Sequence, residues 1–296
     1  MALPARTPPG GLFPSGEPDI TERFIRLASG IRLRVIESGS RSGPPILILP
    51  GWGCTAWLYR EPLVALAAAG YRAIIVELKG QGFSDKPLAP GEYTLAAMRD
   101  NLIAALNALS IPVAGIVGHS MGASIAVHAA LAAPDRVTGI ALVAPVGFAG
   151  VKGMAAFRAL TPAFIAPALG HIASPLVVKT MLEIVHGDLR GPTPRDVEEM
   201  RAPTRFPEYT QALRKLLHEF TWDARFPQLA VPHIVIVGTR DHLSPAGDAD
   251  RHAGDRPPVV IEGGGHVLFS EAPEIVNAQL MGFFGSPDRG GYISVR

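Results

Sequence analysis

Five short, uninterrupted apolar runs constrain this chain more than any other feature. They are ILIL (Ile46 to Leu49), RAIIVEL (Arg72 to Leu78), AGIVG (Ala114 to Gly118), GIALVAP (Gly139 to Pro145) and HIVIVG (His233 to Gly238). Continuous apolar runs of this length suit strands buried on both faces of a parallel sheet. Helical stretches separate them: Pro62 to Ala69, Thr94 to Leu109, and Met121 to Ala133, which stops before Pro134. Strand alternating with helix implies an α/β class, a mostly parallel sheet flanked by helices. The pattern is preceded by RFIRLASGIRLRVIESG (Arg23 to Gly39), whose alternation around Ser29-Gly30 reads as a hairpin with one solvated face.

The rhythm breaks once. Between Val146 and about Ala230 the pattern is helical and cut by prolines, with no convincing buried strand. This predicts a helical cap, residues 146–230, inserted between core strands of a domain made of residues 21–145 and 231–284. Residues 1–20, rich in proline and glycine, are expected to be a flexible arm, and residues 285–296 a tail. The length, 296 residues, suffices for one large α/β domain.

The net charge of +1, without Lys/Arg clusters, argues against nucleic acid or an anionic membrane as partner. The single cysteine, Cys54, can form neither an intrachain disulfide nor a thiolate metal site. The N-terminus lacks the apolar core of a signal peptide, and no apolar run approaches the ~18 residues of a membrane span. A cytoplasmic protein is expected, without stable membrane insertion. No histidine pair has metal-ligand spacing, so neither metal nor cofactor is expected.

The chemistry is carried by VGHSMGASIA (Val117 to Ala126), which sets Ser120 between Gly118 and Gly122 where a strand turns into a helix. A serine hydroxyl needs a base, and the base a carboxylate to orient it. Both should follow strands, because active groups in open α/β sheets lie at the strands' carboxyl ends. IVGTRDHLSP supplies Asp241, and VVIEGGGHVLF supplies His266. The order Ser, Asp, His is that of a nucleophile elbow and its partners. The oxyanion formed by attack requires fixed donors. The amides of Met121, after the nucleophile, and Trp52, in the loop ILPGWGCTAW, are the candidates. Trp57, His119 and Val267 are expected to border a substrate pocket. His171, His186 and His218 fall in the cap, His242 at a surface or rim, and Glu262 and Glu271 are read as structural.

On these residues the chain resembles the α/β-hydrolase superfamily, in its small capped form, over residues 23–284. GHSMG, PGWG, ELKGQGFSDKP, GTRDHLSP and GGGH carry the likeness. Two positions depart from the usual pattern: Pro50 stands where histidine is common, and Glu77 where aspartate is usual. The oxyanion donor is a backbone N–H, so it should survive the first change. No catalytic part is assigned to Glu77. The resemblance implies a serine hydrolase, with carboxylic esters of small to medium apolar acids as the default substrates. A serine at the elbow separates it from haloalkane dehalogenases and epoxide hydrolases, which carry aspartate there. His119, GWGCT and Val267 set it apart from the C–C bond hydrolases, and Met121 from the prolyl aminopeptidases. Lactonase, C–C hydrolase and acyltransferase chemistry use the same triad. A small-molecule receptor retaining the triad is the alternative of a different class. The expected partner is a small ester, with a homodimer as the assembly left open.

Overall fold

The computed structural model describes residues 10–146, 154–162, 173–222, 229–244, 249 and 257–286. Eight strands form one sheet in the order β1-β2-β4-β3-β5-β6-β7-β8. They are β1 (Ile20–Arg26), β2 (Arg32–Ser38), β3 (Pro45–Leu49), β4 (Arg72–Glu77), β5 (Ala114–His119), β6 (Val137–Val143), β7 (His233–Gly238) and β8 (Val259–Ile261). β1 pairs with β2, and β2 with β4, antiparallel; every other pairing is parallel. All five apolar runs are strands, and the hairpin forms as expected.

Both faces of the central strands are buried. Leu47, Leu49, Ile74, Val76, Ile116, Val235 and Val237 point into one core, against α2 (Leu95–Ala108) and α3 (Met121–Ala132). Their neighbours Ile46, Ile48, Ala73, Ile75, Val117, Ile234 and Ile236 point into the other, with α1 (Arg60–Ala68) and α9 (Pro273–Gly285). The strand repeat of two sorts successive side chains to opposite faces. Because neither face is wet, the sequence runs apolar without alternation. β5 accommodates α9 by lacking a side chain: a Cβ on Gly115 would sit 2.6 Å from a ring carbon of Phe284.

Between β6 and β7 the described residues form helices α4 (Met154–Ala159), α5 (Pro175–Val185), α6 (Pro194–Arg201) and α7 (Pro207–Glu219). Ala212, Leu216 and Phe220 of α7 and its C-terminal flank join the core on the α2–α3 side. Between β8 and α9 lies the short α8 (Leu268–Glu271).

Part of the proline-rich arm differs from expectation. Leu12 and Phe13 are buried, and Ile20 already belongs to β1. The reason is Arg34, a fully buried cation on β2. Its guanidinium donates to Glu22 (2.7 Å), Glu77 (3.2 Å) and the Phe13 carbonyl (2.6 Å). The Phe13 N–H donates to Glu199 of α6 (2.8 Å), and its ring meets Trp57 edge-on. A buried guanidinium must be fully partnered, and a main-chain carbonyl of the arm completes the set. Residues 1–9 of the arm and residues 287–296 of the tail lie outside the described residues.

Truncating Phe284 should leave a void opposite Gly115 that the rigid strand cannot fill. Phe284→Ala is expected to lower the unfolding free energy by about 3–5 kcal/mol, read as a shifted midpoint in urea with an unchanged slope.

Candidate active site

The parallel pairings bring the carboxyl ends of β5, β7 and β8 to one edge of the sheet. Ser120 follows β5, Asp241 lies three residues beyond β7, and His266 lies five beyond β8. The side chains meet there. His266 Nε2 is 2.8 Å from Ser120 Oγ, and His266 Nδ1 is 2.8 Å from Asp241 Oδ2. All three residues are at most 6% exposed.

The hydrogen-bond partners fix the direction of each bond. Asp241 Oδ1 accepts the N–H groups of Leu243 (2.8 Å) and Ser244 (2.9 Å), leaving Oδ2 for the imidazole. A carboxylate only accepts, so the neutral ring carries its proton on Nδ1 and presents a bare Nε2 to the serine. That is the arrangement in which Ser120 O–H donates to its base.

The elbow is held in an unfavourable conformation. Ser120 has φ 53° and ψ −118°, a region L-residues seldom occupy. Gly118 and Gly122 make the turn feasible. A Cβ at Gly118 would lie 2.6 Å from Ala123 Cα, and one at Gly122 2.4 Å from the Leu49 carbonyl oxygen. The helix can start against β3 only if residue 122 has no side chain. Met121 is the first residue of α3, where no intrahelical carbonyl can take its N–H.

The loop after β3 approaches equally closely. A Cβ on Gly51 would lie 3.0 Å from Ser120 Cβ and 2.9 Å from His119 Nδ1. Trp52, the expected second donor, is therefore next to the serine in the chain's path. The loop is braced from both sides. Gln81 accepts the Gly53 N–H (3.0 Å), while Trp52 Nε1 donates to the Leu213 carbonyl of α7 (2.9 Å) and the Tyr209 hydroxyl donates to the Gly53 carbonyl (3.2 Å).

Of the three residues expected to border the pocket, His119 and Val267 are buried and Trp57 is half-buried. His119 is fully buried, and both ring nitrogens are engaged: Nε2 is 2.9 Å from the His266 carbonyl oxygen and Nδ1 2.7 Å from the Tyr59 hydroxyl. A carbonyl can only accept, so Nε2 carries the proton and Tyr59 donates to Nδ1. Tyr59 in turn accepts the Gly51 N–H (2.8 Å). Burial, with the neighbouring His266 second, lowers the His119 pKa to about 3, so the ring stays neutral. Burial also holds the Tyr59 hydroxyl well above its ordinary range, so it keeps the proton it donates. One neutral chain of hydrogen bonds thus links the loop after β3, the elbow and the histidine loop. Val267 packs in the core on the α1–α9 side, because its position opens α8 rather than the cleft. Trp57 lies at the seam with the helical insertion: Nε1 donates to Asp196 of α6 (2.7 Å), and the ring sits under the Arg60 guanidinium.

The remaining residues singled out by the sequence fall outside the chemistry. Glu77 accepts the N–H groups of Ala56 and Phe83 besides Arg34, shaping two loops. Glu262 accepts from the Thr239 hydroxyl (3.3 Å). His186 and His218 bond within the insertion or to Ser270, His242 is exposed, and His171 lies outside the described residues. Sequence reasoning missed Tyr59, which no motif marks, and Gln81, which lies within ELKGQGFSDKP without being singled out there. No group of three or more metal-ligating side chains occurs among the described residues. No helix among them is long and apolar enough to cross a membrane.

The family model for the alpha/beta hydrolase fold matches residues 44–273. The chain belongs to the alpha/beta hydrolase family. It is 30% identical over 262 residues to the dihydrolipoyllysine-residue acetyltransferase component of the acetoin cleaving system of Pseudomonas putida, covering 86% of this chain and 67% of that one. It is 42% identical over 108 residues to an epoxide hydrolase of Caballeronia sordidicola, covering 36% of this chain and 32% of the relative. In structure it is similar to 2-hydroxy-6-oxo-6-phenylhexa-2,4-dienoate hydrolase of Rhodococcus sp. strain RHA1. That match has a TM-score of 0.73 at 19% identity and covers 90% of this chain and 100% of the other. The last likeness speaks to the fold alone.

The neutral His119 of this α/β hydrolase makes a testable statement about acid stability. Its proton affinity is depressed by folding, so the folded state binds fewer protons than the unfolded chain below pH 6.5. Stability is therefore fully present above about 6.5 and declines as the pH falls toward about 3. His119→Gln should flatten that part of the acid limb, so that the stability difference from wild type shrinks on acidification. Urea titrations at a series of pH values measure it.

Proposed function

We propose that this chain is a serine hydrolase that cleaves carboxylic esters of small to medium apolar acyl groups through an acyl-enzyme. The observation that carries the reading is the continuous Ser120–His266–Asp241 hydrogen-bond chain at the strand ends. In the proposed step, Ser120 Oγ attacks the ester carbonyl as His266 Nε2 takes its proton. Asp241 stabilises the imidazolium that forms. The amides of Met121 and Trp52 receive the developing oxyanion. His266 returns the proton to the leaving alkoxide, then activates water to release the acid and regenerate the serine.

Several relatives are named epoxide hydrolases, and the nucleophile argues against that chemistry here. A carboxylate that opens an epoxide forms an ester, which water can cleave at its carbonyl. A serine oxygen opening the same ring would form an ether, with no carbonyl for water to attack. The enzyme would stop after one turnover. Acyl groups leave Ser120 readily, and the relative named as an acetyltransferase component favours a second reading: transfer of the acyl group to an acceptor other than water. The acyl-enzyme is common to both. Adding a thiol or alcohol acceptor during ester turnover separates them, since transfer yields the acylated acceptor in place of free acid.

The insertion supports an apolar substrate. Between Val151 and Val185 only Lys152, Arg158, Lys179 and Glu183 are charged. Each further substrate methylene taken out of water contributes about 0.8 kcal/mol, roughly fourfold in affinity.

Two outcomes test the proposal. Ser120→Ala should reduce turnover of p-nitrophenyl esters by on the order of 10⁴ to 10⁶; retention of a tenth of the activity contradicts it. Across acyl chains, kcat/KM should rise from acetate to a maximum between butyrate and octanoate and then fall. A succinyl half-ester should be a poor substrate. Steady decline from acetate contradicts the assignment of the acyl group.

A further inference from the structure

Glu271 is 4% exposed, and its carboxylate is spent entirely on main-chain amides. Oε2 accepts the N–H of Gly265 (3.0 Å) and Oε1 that of Val267 (3.2 Å). These peptides flank His266. Closing a local turn accounts for those two bonds. It does not account for the third, in which Oε2 accepts the N–H of Gly187 at 2.7 Å, a residue of the helical insertion 84 positions away.

The third bond belongs to a continuous seam. The His266 N–H donates to the Val185 carbonyl (2.8 Å), and the Asp188 N–H donates to the Gly263 carbonyl (2.7 Å). The two backbones come closest at glycines. A Cβ on Gly187 would lie 2.3 Å from the Gly263 oxygen and 2.5 Å from the Gly265 nitrogen. A Cβ on Gly265 would lie 2.3 Å from the Gly187 nitrogen. Residues 185–188 and 263–267 are therefore one hydrogen-bonded unit, with the base at its centre and one carboxylate holding both sides.

We propose that Glu271 is a positioning residue through which the docking of segment 185–188 of the helical insertion sets the position of His266. The insertion is then part of the site's geometry: when it is unseated, the imidazole loses its alignment with Ser120 and Asp241. The inference rests on the serine-hydrolase reading for its kinetic arm, and on geometry alone for its spectroscopic arm.

Wild type, Glu271→Gln and Gly187→Ala are compared. Glutamine keeps the size but offers one acceptor oxygen for three amides. Alanine at 187 forces the seam apart without changing Ser120, Asp241, His266 or Glu271 themselves. Each protein is reacted with a small fluorophosphonate, and both the final labelling stoichiometry and the rate are measured. Turnover of p-nitrophenyl acetate gives kcat and KM. The low-field proton resonance of the His266–Asp241 hydrogen bond is recorded by NMR. The expected result for both variants is full stoichiometry with a labelling rate and kcat at least about tenfold lower, a displacement of about 1 Å costing roughly 100-fold. KM should stay within about twofold, and the low-field resonance should broaden or shift. Wild-type rates and an unchanged resonance in Gly187→Ala overturn the proposal, whether or not Glu271→Gln folds. A wild type that neither labels nor turns over refutes the hydrolase reading instead. The resonance, compared between wild type and Gly187→Ala, then still decides the positioning role.

Discussion

The site depends on how closely three backbones can approach one another beneath Ser120. β3 and its loop lie against the start of α3 so tightly that Gly122 sits where any Cβ would overlap the Leu49 carbonyl, and Gly51 where it would crowd Ser120 and His119. The strained φ of the serine is the local consequence. Such strain persists only where surrounding structure over-determines it. Here the surroundings are a sheet buried on both faces and a helix that meets β3 through Gly122. The strained turn at Ser120 is thus a consequence of sheet packing, held also by the Ser120 N–H, which donates to the Val143 carbonyl (3.0 Å).

Electrostatics inside the site follow a simple division. The groups that hold the loops are either neutral, as in the Gly51–Tyr59–His119–His266 chain, or are carboxylates saturated by amides, as at Asp241 Oδ1 and Glu271. His119 and His266 lie in adjacent rings, 5.1 Å between centroids. Two cations at that distance would compete. Burial keeps His119 uncharged beside the imidazole of His266.

The elements that bring Ser120, Asp241 and His266 together are legible in the sequence because each obeys a local rule. Apolar runs mark the strands, and glycines two positions either side of Ser120 mark the elbow. The carboxylate and histidine can be found by looking just past strands. What is not legible depends on contacts between residues far apart in the chain. His119 gives no sign that Tyr59 and the His266 carbonyl enclose it, so it reads as a pocket residue. Val267 looks like a cleft neighbour because it follows the histidine, but a helix begins there and turns its side chain into the core. Leu12-Phe13 is an apolar pair within a run of prolines and glycines. Its burial depends on a guanidinium of a strand further along the chain, and composition alone makes that stretch look mobile.

The Arg34–Phe13–Glu199 contact also bears on how this architecture can be recombined. The helical insertion leaves the sheet at the carboxyl end of β6 and rejoins it at the amino end of the parallel β7, so a graft cut at these two strands looks like a natural unit of exchange. In this chain the insertion does not end at its two junctions. Glu199 holds the Phe13 amide, Asp196 the Trp57 indole, and Leu213 the Trp52 indole. A chimera that transplants only the segment between the strands would inherit a helix bundle with its counterparts missing. The transferable unit is discontinuous: the insertion, residues 11–13, the loop from Trp52 to Trp57, and the stretch carrying His266.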